Sequence, residues 1–305
     1  MPRLFDRALA STVPLLPRPI VRKVSARYIA GDTLTDALTT VRRLSAAGCV
    51  GTVDLLGEHV TRREQPLATK AAYREAIRCL AEENLPAGVS VKPTAFGLAV
   101  DREFCLQNLR EIAAAAAEHG RFMRVDMEES EYTTATLDLV HELHRDHPNI
   151  GAVIQARLRR SPVDIESLLR ERISVRLCKG IYQEAPSEAL QDPDQIRLAY
   201  LRLLDRLLEA GCYAGIATHD RWLAERSLEI VRHHGLDRDQ YEFQMLMGVA
   251  EPLRRRLVAG GHRVRVYVPY GGDWYAYSRR RLQENPQIAT AIALSLIGRT
   301  TDTRR

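Results

Sequence analysis

The chain has 305 residues, 45% hydrophobic and 27% charged, which suits one large globular barrel or two smaller domains. Its net charge of +5 is spread along the sequence; that fits weak attraction to anionic surfaces but demands no nucleic-acid partner. Five scattered cysteines without a CxxC spacing exclude a zinc knuckle and a disulfide framework, and no apolar run approaches the roughly 20 residues of a membrane span.

Residues 1–48 read as helical additions, with Pro14, Pro17 and Pro19 interrupting any secretory apolar core and an amphipathic helix over 33–47. From residue 49 onward, short apolar runs alternate with longer helical patterns. Strands are predicted at 49–55, 88–92, 122–127, 151–156, 174–179, 213–218, 241–246 and 263–268. Helices are predicted at 69–84, 102–119, 133–146, 162–172, 193–210, 221–234, 252–259 and 274–285. Eight strands, each followed by a helix, predict an α/β fold of the (βα)8 TIM-barrel type over 49–298, with a polar tail at 299–305. A doubly wound sheet would carry Gly-x-Gly-x-x-Gly after its first strand, where this chain has Leu55-Leu56-Gly57-Glu58-His59.

Barrel enzymes place their chemistry at the carboxyl ends of the strands. Polar residues gather there: Lys92 on the second strand, Asp126 and Glu128 on the third, Gln155 on the fourth, Arg176 and Lys179 on the fifth. Thr218 and His219 end the sixth strand, Gln244 lies on the seventh and Tyr267 closes the eighth. Singly, each is as well explained by a loop cap; together they predict one polar mouth. Arg176, in mid-strand, also reads as a lumen salt bridge, and Tyr267 as ordinary strand packing.

The most informative stretch follows. Pro269 and Gly271-Gly272 end the last strand, Asp273 caps a helix, and Asn285-Pro286 stops it. Tyr277, Arg280, Arg281 and Glu284 share one face of that helix. Two adjacent guanidiniums can grip a small carboxylate bidentately, although the run also reads as a solvated basic face.

Tyr267, the Pro269-Tyr270-Gly271 turn and Arg280-Arg281-Leu282-x-Glu284-Asn285 resemble the signature of the proline dehydrogenases, flavoenzymes with a distorted (βα)8 barrel. Val175-Arg176-Leu177-Cys178-Lys179-Gly180-Ile181-Tyr182 is the strongest further match, and the resemblance covers residues 88–287. It implies FAD as cofactor and L-proline as substrate, oxidised by hydride transfer to 1-pyrroline-5-carboxylate. It also implies a quinone as electron acceptor and a cytoplasmic location, with peripheral contact at the inner face of the membrane. A chain of 305 residues leaves no room for a second enzyme, so a separate pyrroline-5-carboxylate dehydrogenase would follow.

The resemblance assigns roles as well. Lys92, Arg280 and Arg281 would hold the carboxylate, with Glu284 pairing an arginine of that clamp and Tyr267 and Tyr277 over the substrate ring. Asp126 would orient Lys92, and Arg176 would lie beside the flavin. Met127, Gln155, Lys179, Gly180, Ile181, Thr218 and His219 would follow the cofactor, and no metal is expected. Three departures stand out: Pro93 where leucine or a similar residue is expected, Arg157 where an aromatic is common, and Ile181 where a small residue near the substrate ring is common. The alternatives are another flavin barrel of the methylenetetrahydrofolate reductase kind, which needs no double-arginine clamp, and a basic nucleic-acid-binding module.

Overall fold

Parallel strands need a crossover between each pair, and the predicted alternation supplies one every time. The computed structural model describes residues 22, 26–57, 60–275 and 277–278. Among the elements of the described residues, helix α1 (Leu34–Ala46) comes first, then β1 (Val50–Leu55), β2 (Ala87–Val91), β3 (Met123–Val125), β4 (Ile150–Gln155), β5 (Ser174–Cys178), β6 (Ala214–Ala217), β7 (Tyr241–Leu246) and β8 (Val264–Tyr270). Strands β1 to β7 are followed in turn by α2 (Gln65–Glu82), α3 (Arg102–Glu118), α4 (Thr133–Asp146), α5 (Ser161–Arg170), α6 (Pro193–Glu209), α7 (Arg221–His233) and α8 (Glu251–Ala259). The strands form a closed parallel barrel in sequence order. It closes where β8 meets β1, with Thr52 opposite Tyr267 and Asp54 opposite Pro269.

Successive side chains of a strand point to opposite faces. One set, including Val53, Val89, Val125, Leu177, Phe243 and Val266, is buried in the main apolar core with the helices. The other set is polar and faces the lumen: Asp54, Ser90, Arg124, Arg176, Glu242, Gln244 and Arg265 among them. A barrel interior is usually filled by branched apolar side chains. Charge there must be paired or used, because burying an unpaired ion is costly.

Helix α1 lies against the seam where β8 meets β1. Its start is fixed by a capping box in which Thr33 and Asp36 bond each other's backbone. It packs against β8 and β1 through Ala37, Leu38, Val41 and Leu44, covering the wall that a helix after β8 covers in a regular barrel. After β8 the described residues Trp274, Tyr275, Tyr277 and Ser278 are helical, and the Ser278 hydroxyl donates to the Trp274 carbonyl at 2.6 Å. The remainder of the predicted helix, with Arg280, Arg281 and Glu284, lies outside the described residues.

Local departures have local causes. Strand β8 continues through Pro269 to Tyr270, because both carbonyls still find donors: Ala30 N–H at 2.9 Å and Leu56 N–H at 2.8 Å. Helix α2 begins at Gln65 rather than 69, since Pro66 is well suited to a first turn and the Gln65 side chain accepts from Thr61 and Arg62 N–H at 2.8 and 2.9 Å. Pro93 opens a 3-10 turn, Pro93–Phe96, that ends at Gly97 with φ +98°. Among the described residues, no helix is long and apolar enough to cross a membrane.

Candidate active site

A cavity of about 310 Å³ opens at the carboxyl ends of the strands. Lys92, Asp126, Arg176, Tyr267 and Tyr277, each assigned to substrate or chemistry from the sequence, all line it. So do Met127, Gln155, Lys179, Gly180, Ile181, Thr218 and His219, the residues assigned to the cofactor. The structure therefore brings together every described residue given a site role from the sequence, whereas Glu128, placed in the polar mouth, accepts instead from the Thr94 N–H and hydroxyl.

Deep in this mouth, Lys92 donates to Asp54 at 2.8 Å and to the Tyr267 hydroxyl at 3.3 Å. Asp54 is fully buried and also hydrogen-bonds Tyr73, which reaches in from α2 at 3.0 Å. This corrects one expectation: the carboxylate that orients Lys92 is Asp54. Asp126 instead accepts from Arg176 Nη1 at 2.5 Å and from the Ser90 hydroxyl at 2.8 Å. The reason is register, for Asp54 lies one residue from the end of β1 and Lys92 directly follows the adjacent, paired β2, while Arg176 reaches across the lumen to the residue after β3. Burial favours a neutral amine at Lys92, but the charges of Asp54 and then Asp126 more than offset it, so the ammonium is held above the ordinary lysine range. Burial, then the Asp54 charge, also pushes the Tyr267 phenol well up, keeping it a neutral donor.

Arg176 is both things the sequence allowed, a lumen ion pair and a cavity-lining cation. Its Nε donates to Gln244 at 2.6 Å, while Gln244 Nε2 donates to Glu242 at 2.6 Å. Arg265 completes this floor by donating to Glu242 at 2.6 Å. Gly215 makes room for the crossing: a Cβ there would sit 2.4 Å from Gln244 Nε2. Arg124, beneath, is pushed down to about 9 by burial and then by the charge of Arg176, and remains cationic at neutral pH. Among the described residues, Lys92, Arg124, Arg176 and Arg265 thus outnumber Asp54, Asp126 and Glu242 by one, leaving the lumen suited to an anion.

Glu242 gives a pH prediction. Burial would raise its carboxyl, but Arg265 overrides that and holds it below the ordinary glutamate range. A depressed folded value stabilises the fold above the unfolded pKa of roughly 4.3, and that contribution is lost as pH falls through the folded value. Melting temperature should therefore fall on acidification below about pH 4.5, and Glu242→Gln should flatten that limb while lowering stability at pH 7.

The cofactor side meets a physical test. Gln155 Nε2 donates to the Glu128 carbonyl at 2.8 Å, but its buried Oε1 finds no donor among the described residues. Such an acceptor costs about 1–3 kcal/mol unless a ligand N–H reaches it. Gly180, at φ +94°, brings the loop against this amide, where a Cβ would lie 2.7 Å from Oε1. At the outer edge, Lys179 and Arg197 share Asp220 at 3.3 and 2.7 Å. His219 Nε2 accepts from Leu246 N–H at 2.8 Å, so its own proton sits on Nδ1, and Asp220 is the residue that caps α7. These donors and acceptors fit a flat ring with N–H groups and a polar tail.

A closed barrel with a cationic floor under partly apolar walls, at its carboxyl mouth, is the layout of a (βα)8 enzyme for a small anionic substrate. A family model described as proline dehydrogenase matches residues 37–293, and the chain belongs to that family. Proline dehydrogenase 1 of Bacillus subtilis (strain 168) is 33% identical over 271 residues, spanning 89% of this chain and 90% of that protein. Proline dehydrogenase of Deinococcus radiodurans is 36% identical over 296 residues, 93% of this chain and 94% of that protein. Among solved structures, proline utilization A from Bdellovibrio bacteriovorus, inactivated by N-propargylglycine, superposes with a TM-score of 0.82 at 25% identity, covering 87% of this chain but 33% of that one.

Proposed function

We propose that this protein oxidises L-proline to 1-pyrroline-5-carboxylate with FAD as cofactor and a quinone as the final electron acceptor. Family membership supports the reaction class. The observation that carries the reading is that Lys92 and Arg176, both tethered by buried partners, open onto one cavity with the Gln155 carbonyl that finds no donor among the described residues.

FAD, when bound, supplies the hydride acceptor that no side chain provides. Lys92 holds the substrate carboxylate, joined by Arg280 and Arg281, with Glu284 steadying that clamp. Tyr267 and Tyr277 close over the ring, and fixing its carbon against the acceptor can remove several kcal/mol of barrier. Arg176 supplies positive charge where the hydride's negative charge collects. Asp126 steadies Arg176 and is not the base; the ring nitrogen gives its proton to water. Met127, Gln155, Lys179, Gly180, Ile181, Thr218 and His219 hold the cofactor. Residues 49–298 act as one catalytic barrel, with 1–48 an N-terminal helical extension and 299–305 a polar tail. The protein works in the cytoplasm, visits the inner face of the membrane to meet the quinone, and passes its product to a separate pyrroline-5-carboxylate dehydrogenase.

The test is optical. Purified protein should be yellow, and anaerobic L-proline should bleach it. Arg281→Met should raise KM for proline roughly 30-fold or more, about the loss of a charge-assisted bidentate grip. A yellow protein indifferent to proline, or a KM untouched by Arg281→Met, points to another flavin barrel. A colourless protein with steep salt-dependent nucleic-acid binding overturns the enzyme reading.

A further inference from the structure

The loop from β5 to α6 forms one wall of the cavity and is tied down on two sides. On one side, Arg157 donates from Nη1 to the Tyr182 carbonyl at 2.7 Å and from its backbone to the Lys179 carbonyl at 3.0 Å. Leu158 and Ala189 form an antiparallel bridge beside it. On the other side, the Glu184 carboxylate accepts from Ser130 N–H at 2.8 Å and from its hydroxyl at 2.6 Å. Between these ties sits Ile181, which lines the cavity and remains 44% exposed. An isoleucine has few side-chain rotamers, so its position is set by its backbone. Here that backbone is set by the ties.

We infer that Arg157 and Glu184 are positioning residues for ring-size selection: they hold Ile181 against the apolar side of the cavity, so that a five-membered cyclic carboxylate is accepted and a six-membered one rejected. This rests on the substrate reading above. A pocket rejects an added methylene only if its wall cannot retreat, and the loop without its ties could swing outward. The effect is on selection rather than on chemistry, since neither Arg157 nor Glu184 lines the cavity.

The test uses holoenzyme and two unreactive probes, cyclopentanecarboxylate and cyclohexanecarboxylate, with dissociation constants measured by calorimetry. The wild type should prefer the smaller ring by about tenfold or more, the usual penalty for one methylene in a rigid pocket. Arg157→Met, Glu184→Ala and Ile181→Ala should each bring the preference to about threefold or less, because a wall that yields removes most of that penalty. Should Arg157→Met fail to fold, Glu184→Ala and Ile181→Ala still decide. A wild type without preference, an unchanged preference in Ile181→Ala, or an unchanged preference in every folded tie variant overturns the inference. Failure of the substrate reading would show separately, as holoenzyme that L-proline does not bleach.

Discussion

Arg176→Met is expected to slow flavin reduction by L-proline about a thousandfold and to weaken the fold by about 3–5 kcal/mol. The two losses have different origins. The stability loss comes from Asp126, which is only 9% exposed and whose other side-chain donor is the Ser90 hydroxyl. Removing its cation leaves a buried carboxylate, and Gln244 Oε1 loses its 2.6 Å donor as well. On the proposed reaction, the rate loss comes from removing a fixed positive charge where negative charge develops. A second variant separates them. Arg176→Met combined with Asp126→Leu removes both ions together, and replacing a buried pair by apolar groups is often neutral or stabilising. The double variant should therefore regain most of the stability, read by urea unfolding, and none of the rate, read by anaerobic stopped flow. If the double variant regained the rate, Arg176 would be no more than a lumen ion pair.

That pair also shows what a single sequence can and cannot disclose. Alternation in Met123-Arg124-Val125-Asp126 and Val175-Arg176-Leu177 placed the charged residues on one face of each strand, and strand order placed both in one mouth. The bond between Arg176 and Asp126 links residues fifty positions apart, on β5 and just after β3, strands that are not neighbours in the barrel. No local pattern carries that contact. Asp54 is different, because its signal was present: a carboxylate in the run Val53-Asp54-Leu55, one residue before the strand ends. The apolar Leu55, and not Asp54, stands at the strand end, where the polar mouth residues are sought. Glu242 and Arg265 are legible in the same way, two residues before Gln244 and Tyr267 and so on the same face of their strands. The placement of α1 on the β8–β1 wall was beyond reach, since an amphipathic face does not say which wall it covers. The reverse holds for Arg280 and Arg281, whose role rests on sequence and lies outside the described residues.

Lys92→Met should raise KM for L-proline roughly a hundredfold and destabilise the fold by about 3–5 kcal/mol at neutral pH, because it strips the cation from a fully buried carboxylate. Asp54 would keep its hydrogen bond with Tyr73 at 3.0 Å, which softens the loss but carries no charge. The pH dependence has a definite sign. Lys92 is held above its ordinary value by Asp54 and Asp126 against burial, so its folded value exceeds its unfolded one. A raised folded value contributes stability fully below the unfolded lysine pKa of roughly 10.4, and that contribution is lost as pH rises through the folded value. The difference in stability between wild type and Lys92→Met should therefore stay constant from about pH 7 to pH 9 and narrow only above about pH 10.5. Lys92→Arg should not restore KM, since a planar fork cannot donate in three tetrahedral directions to Asp54, Tyr267 and a ligand. If Lys92→Met bound proline as well as the wild type, the carboxylate would have to be held elsewhere. The lumen's surplus positive charge would then serve the cofactor alone.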